Sequence, residues 1–146
     1  MKKNIKLIIV IIGIFMVGVG IFIGISALDL GPQQTNDSRV TYKEKVLTII
    51  LKENPTTPYA WTFTIEGESL KALDDKYISD PRGQMKSGVG GTHIFHFEGV
   101  SEGTAIIHMV HEEQFGDPEE RYPIEIIIIE THVESDGVIN YVKVVN

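Results

Sequence analysis

After Leu28 the apolar residues recur at every second position, in short runs, and no stretch carries the spacing of a helix. Alternation of this kind is the period of a strand buried on one side. In 45–52, Val46, Thr48 and Ile50 face one way and Leu47, Ile49 and Leu51 the other. Tyr59, Trp61, Phe63 and Ile65 alternate with Ala60, Thr62, Thr64 and Glu66. Leu70, Leu73, Tyr77 and Ile78 give a weaker pattern, expected as a short strand with an irregular approach. His93, Phe95 and Phe97 share a face of the next strand. In 104–112, Ile106, His108 and Val110 stand opposite Ile107, Met109 and His111. Residues 123–131 are nearly solid Ile, as in a central strand buried on both faces, with Glu125 and Glu130 as guards against aggregation. Ser135-Asp136-Gly137 signals a hairpin turn, and 138–145 returns as a last strand. Short strands with turn signals every 8–12 residues or so predict an all-β, immunoglobulin-like β-sandwich.

The N-terminus is different. Lys2, Lys3 and Lys6 precede an uncharged run from Leu7 to Leu28. As a helix this run would span about 33 Å, matching a hydrocarbon core of roughly 30 Å. A signal peptide has a shorter apolar core, about 7–15 residues, although Gly24-Ile25-Ser26-Ala27 offers a cleavage site. The expectation is one N-terminal transmembrane (signal-anchor) helix over 1–28, or a signal peptide. Residues 29–42 read as a polar tether and 43–146 as the sandwich domain, with 131–146 an extra C-terminal hairpin. Cations on the N-terminal side put the domain outside the cytoplasm, anchored to the cell membrane, or secreted if cleaved.

Beyond residue 28 there remain 10 Lys/Arg (13 less three) against 20 Asp/Glu, a formal charge of −10. That argues against nucleic acid as a partner, which calls for clustered cations. The chain has no cysteine, so there is no disulfide, no thiol nucleophile and no Cys-based zinc site. The core alone must hold the domain, which is expected to work as a monomer.

Little in the sequence points to catalysis. His93/His96 and His108/His111 are each three apart, which on a strand puts the two rings on opposite faces, so neither pair chelates. No serine sits in a nucleophile elbow. The glycines at 88–91 are not a phosphate loop, because no Lys-Ser/Thr follows and no helix opens after them; they can let backbone lie close against a partner. No cofactor is expected. What stands out is 54–61, Asn-Pro-Thr-Thr-Pro-Tyr-Ala-Trp. Pro55 and Pro58 fix their own φ angles and bias Asn54 and Thr57 toward extended backbone. The result is a stiff arch leading into a strand nailed to the core by Trp61. Stiff loops lose little entropy on docking.

Three loops carry a resemblance. Asn54-Pro55-Thr56-Thr57, with Tyr59-Ala60-Trp61, is similar to the Asn-Pro-Thr-Thr-Gly-aromatic-x-Trp motif of the chagasin family, inhibitors of papain-like cysteine peptidases. Gly88-Val89-Gly90-Gly91-Thr92, followed by Phe95-His96-Phe97, resembles that family's second motif. The third, usually Arg-Pro-aromatic, keeps only Phe115 of Glu113-Gln114-Phe115; Arg121-Tyr122-Pro123 falls too far along. The resemblance covers roughly 43–130. It implies a wedge of three loops that occludes a protease cleft reversibly, with no catalytic residue of its own. Asn54, Pro55, Thr56, Thr57, Pro58 and Tyr59 would enter at the catalytic pair. Gly88, Val89, Gly90 and Gly91 would run beside the non-primed subsites, and Phe115 would stack on the primed side. Pro58 stands where the family has Gly, so a positive φ there is excluded and the arch must differ locally. The alternative reading is a non-catalytic immunoglobulin-like module for adhesion or envelope assembly, using these loops or the 131–146 hairpin.

Overall fold

The structure, a computed structural model, describes residues 31–81, 88 and 90–145. The expected membrane anchor or signal peptide at 1–28 lies outside the described residues, as do 29–30, 82–87, Val89 and Asn146. Among the described residues no helix is long and apolar enough to cross a membrane.

The strands are β1 (Gln33–Gln34), β2 (Val40–Lys43), β3 (Val46–Glu53), β4 (Tyr59–Glu66), β5 (Leu70–Ser79), β6 (Gly91–Gly99), β7 (Gly103–Glu113), β8 (Glu125–Val133) and β9 (Ile139–Val145). All neighbours are antiparallel, in a five-stranded sheet β1-β2-β3-β6-β5 and a four-stranded sheet β4-β7-β8-β9. The inner faces follow the alternation of the sequence. Leu47, Ile49 and Leu51 of β3 and Phe95 and Phe97 of β6 meet Trp61 of β4, Ile107 and Met109 of β7 and Ile127 and Ile129 of β8 in one buried cluster. Phe63 sits edge-on to Phe97, with ring centres 5.0 Å apart, and bridges the sheets.

Three expectations need correction. Residues 31–42 are not a tether. β1 and β2 pair onto β3, Val40 is fully buried, and the Asn36 amide both donates to and accepts from the Val144 backbone at 2.8 Å. Polar composition misled because β1 is a two-residue edge strand whose cost is met by side-chain hydrogen bonds. Second, the Ile run is buried on one face only. Ile127 and Ile129 are interior, whereas Ile126 is exposed, because alternate residues of β8 point toward and away from the shared core. Third, the hairpin expected at the C-terminal end does form, with its turn at 135–137, but it is not an addition to the sandwich. β9 buries Ile139, Val142 and Val144 in the shared core. The weak Leu70–Ile78 pattern is one ten-residue strand, made irregular by a bulge between Ala72 and Asp75.

Antiparallel order decides where the connections fall. β3, β5 and β7 run toward one end of the sandwich, and β4, β6 and β8 start there. The β3–β4, β5–β6 and β7–β8 loops therefore share that rim. The β2–β3, β4–β5, β6–β7 and β8–β9 turns share the other.

Candidate functional site

The first loop is organised by Asn54. Its side-chain oxygen accepts from the Thr56 amide (3.2 Å) and the Thr56 hydroxyl (2.8 Å). Its main-chain oxygen accepts from the Thr57 amide (3.0 Å) and the Thr57 hydroxyl (2.7 Å). An Asx turn and an ST turn are thus nested in four residues. Both Thr hydroxyls are spent inside the arch. Pro58 takes no positive φ; in the described residues Glu44 alone does so among non-glycines. The loop therefore closes without the conformation that Gly would allow. At its foot the Trp61 indole N–H donates to the Lys52 carbonyl at 2.9 Å, closing the two ends across the turn.

The second loop is fastened to the first. The Asn54 amide nitrogen donates to the Gly88 carbonyl (3.2 Å), and Gly88 has φ +92°, a conformation suited to glycine. A Cβ on Gly90 would stand 2.7 Å from the Glu53 carbonyl, and one on Gly91 would overlap the Ile78 carbonyl and the Tyr77 hydroxyl. These glycines thus let the chain lie against its own neighbours. Val89 lies outside the described residues.

The third loop joins the same rim. The Gln114 amide donates to the Pro58 carbonyl at 2.8 Å, extending the β4–β7 ladder by a step. Phe115 is 70% exposed at its tip. Arg121 follows a 3-10 turn, Pro118–Glu120, and its Nη2 donates to the carbonyls of Gln114 (3.1 Å) and Gly116 (3.2 Å), on both sides of Phe115. Sequence reasoning set Arg121 aside because it is six residues after Phe115. Its register is irrelevant, since the loop folds back onto it. Tyr122, 85% exposed, and Ile124 continue the apolar edge beside Phe115 in sequence.

Between the loops lies an open cavity of about 610 Å³, lined among others by Glu53, Asn54, Thr57, Gly90, His111 and Ile124. His111 stacks on Trp61 with ring centres 4.7 Å apart. His93, His96 and His132 hydrogen-bond to carboxylates, and His108 lies 3.0 Å from that of Glu66. His93 and His96 take different ones, on opposite faces of β6: Nδ1 of His93 meets Glu53 and its Nε2 meets Asp75, both at 2.6 Å, while Nδ1 of His96 meets Asp74 at 3.1 Å. His93 and Glu53 belong to the support of this rim, and no motif in the sequence marks them.

The arrangement presents a braced tip, a second loop tied to it and the exposed aromatics Phe115 and Tyr122, all at one end of the domain.

A family model described as chagasin family peptidase inhibitor matches residues 41–126. No curated protein matches the chain. Among solved structures, the cysteine protease inhibitor EhICP2 of Entamoeba histolytica is similar at 18% identity and a TM-score of 0.49, over 69% of this chain and 78% of that one. Amebosin is similar at 24% identity and a TM-score of 0.43, over 71% of this chain and 81% of that one.

Proposed function

We propose that this chain, which belongs to the chagasin family of peptidase inhibitors, is a reversible, competitive inhibitor of papain-like cysteine peptidases. The family is one of inhibitors and not of enzymes. The first loop is the wedge: Asn54–Tyr59 enters the cleft at the catalytic pair, Gly88–Gly91 lies along one side and Phe115 anchors the other. The apolar segment 7–28 tethers the inhibitor on the non-cytoplasmic side of a membrane.

The observation that carries this reading is the convergence of the three loops on one rim, joined by Asn54 to Gly88 and by Gln114 to Pro58. Because the Thr hydroxyls are already bonded within the arch, docking does not have to order them. The binding energy is then not spent on loop entropy. Phe115 is the residue type and exposure expected of an interface anchor. The adhesion reading drew on an extra 131–146 hairpin and on the degraded third loop; of these, the hairpin strand β9 is part of the shared core through Ile139, Val142 and Val144.

The test is inhibition of papain by the full chain in mild detergent. Competitive inhibition at nanomolar to micromolar concentration is expected. A papain activity unchanged at micromolar inhibitor would overturn the proposal.

A further inference from the structure

The inner face of the five-stranded sheet ends, just below the rim, in a polar layer where apolar side chains would be expected. Glu53 closes β3, His93 stands two residues into β6, and Asp75 comes from the bulge of β5. The His93 ring touches both carboxylates, Nδ1 to Glu53 Oε2 and Nε2 to Asp75 Oδ2, each at 2.6 Å. It stacks on Phe95 with ring centres 4.1 Å apart, and Tyr77 of β5 packs edge-on to it. The bulge is what makes this reach available. It sets three residue steps of β5 (Ala72 to Asp75) against two of β6 (Phe97 to Phe95), which puts Asp75, rather than Asp74, on the face of His93 and leaves Asp74 on that of His96.

Two ionised carboxylates can both be satisfied by one imidazole only if both ring nitrogens carry a proton. The ring is then an imidazolium. Its two partners belong to the strands that lead into the first and second loops: β3 ends at Glu53, one residue before Asn54, and β5 ends four residues after Asp75. We propose that His93 is a positioning residue for the inhibitory rim, a proton-dependent pin that ties the root of the first loop to the root of the second across β6. This rests on the inhibitor reading for its consequence and on the side-chain geometry for its existence.

The direction of the pH response follows from the groups around the ring. Glu53 faces it from β3, and Asp75 and Tyr77 from β5. On the facing sheet, Tyr59 of β4 and His111 of β7 line the same cavity as Glu53. Lys52 and Asp80 line that cavity too; Lys52 is the cation among these groups, and its ammonium donates to the Thr92 hydroxyl at 3.0 Å. Burial pulls the His93 pKa down, but the hydrogen bonds and charges of Asp75 and Glu53 outweigh it and hold the pKa above the ordinary histidine value of 6.5. As pH rises through that raised value one nitrogen loses its proton. It would then turn a lone pair on a carboxylate at 2.6 Å. Glu53, with its side chain 10% exposed, has little access to water, whereas Asp75, at 60%, can turn outward. The pin therefore lets go on the β5 side. The second loop loosens against the first, and the first keeps its root.

The experiment uses the full chain in mild detergent, with ¹³C-labelled histidine rings and ¹⁵N-labelled amides, titrated from acid to alkaline pH by NMR. One ring is expected to titrate above the ordinary histidine range. The amides of Tyr77, Ser79, Asp80 and Gly90 should move with it, while those of Thr56 and Thr57 move less. Asp75→Asn, at an exposed position, should fold normally and bring that transition down toward the ordinary value. His93→Gln should abolish it. In parallel, papain affinity of the wild type should weaken about tenfold across the transition, the scale of one charge-assisted hydrogen bond. With His93→Gln the extra pH dependence should vanish on the same papain. Rim amides that ignore the His93 titration, or a transition unmoved by Asp75→Asn, would overturn the pin whether or not papain binds. A chain whose rim amides respond but which binds papain at no pH would instead sink the inhibitor reading and the pin's role in it.

Discussion

The two ends of the sandwich are held by different means. At the turn end, backbone locks to backbone. The Gly99 amide donates to the Lys45 carbonyl (2.8 Å), Val100 to Ser69 (2.9 Å), Ile139 to Glu44 (2.7 Å) and Glu134 to Val138 (2.8 Å). Side chains add to these bonds there, with the Ser101 hydroxyl donating to the Glu68 carbonyl, the Asp136 carboxylate accepting from the Val138 amide and the Asn140 amide donating to Glu134. At the loop end, side chains do most of the fastening: the Asn54 amide, the Trp61 indole, the Arg121 guanidinium and the His93 imidazole. The turn end has one arrangement, set by close approach. The rim's arrangement is written in chosen residues, and it carries the exposed aromatics Phe115 and Tyr122. An inhibitor needs this division, because the rim can vary toward a partner while the other end keeps the fold closed.

The comparison breaks most visibly at Gly99. A Cβ there would overlap the Gly137 carbonyl and stand 2.9 Å from Val133 Cγ1. Backbone cannot yield as a flexible side chain would. Gly99→Ala is expected to cost about 1–3 kcal/mol of stability, the usual scale of overpacking. Thermal unfolding would register this, while papain inhibition per folded molecule stays at the wild-type value. A loss of inhibition out of proportion to unfolding would mean that the two ends are not independent.

Arg121→Ala makes the converse case. It removes two donations to the carbonyls that flank Phe115, each a charge-assisted bond on a partly exposed loop. Inhibition should weaken by about tenfold, corresponding to roughly 1.4 kcal/mol. The melting temperature should move by no more than a few degrees, because Arg121 touches no core residue among these contacts. Arg121→Lys should recover little, since a point charge does not span two carbonyls as the guanidinium does. Unchanged inhibition would show that Phe115 is presented without the brace.

The legibility of the chain divides along the same line. The core was readable because inward residues of β3, β4, β6 and β7 obey a strict period of two, and Trp61 announced its own burial. The arch was readable because Pro and Asx residues act over two or three positions. Arg121 was not, because its partners are set by how an acidic loop folds back, and charge spacing carries no such signal. His93, Glu53 and Asp75 lie 18 to 40 residues apart, and only strand register with a bulge brings them together. Residues 31–42 failed differently: composition said tether, yet a buried Val40 and two hydrogen bonds between Asn36 and Val144, one donated by each, make them part of the sheet edge.

The smallest expected effect sharpens the contrast, since it concerns a charged brace on the loop side. Arg39 holds Asp37 through paired hydrogen bonds (Nε to Oδ1, 3.1 Å; Nη2 to Oδ2, 2.8 Å) and reaches Glu125, the first residue of β8, at 2.6 Å. The hydrogen bond from Arg39 keeps the Asp37 carboxyl below its ordinary value of 3.8, against the opposing pull of burial. A depressed carboxylate pKa contributes stability that is present above the ordinary value and is lost as pH falls through the depressed one. Arg39 is about a third exposed, so the brace is worth at most about 1 kcal/mol. Below the ordinary carboxylate range, amide exchange should therefore quicken first at Val40 and along the start of β8, where this brace crosses between the sheets. Gly99 and Ile139, held by neutral backbone pairs, should keep their protection until global unfolding. Asp37→Asn should remove the acid step and leave the turn end unchanged. Equal acid sensitivity at both ends would mean that the fastening by side chains and by backbone is one cooperative unit.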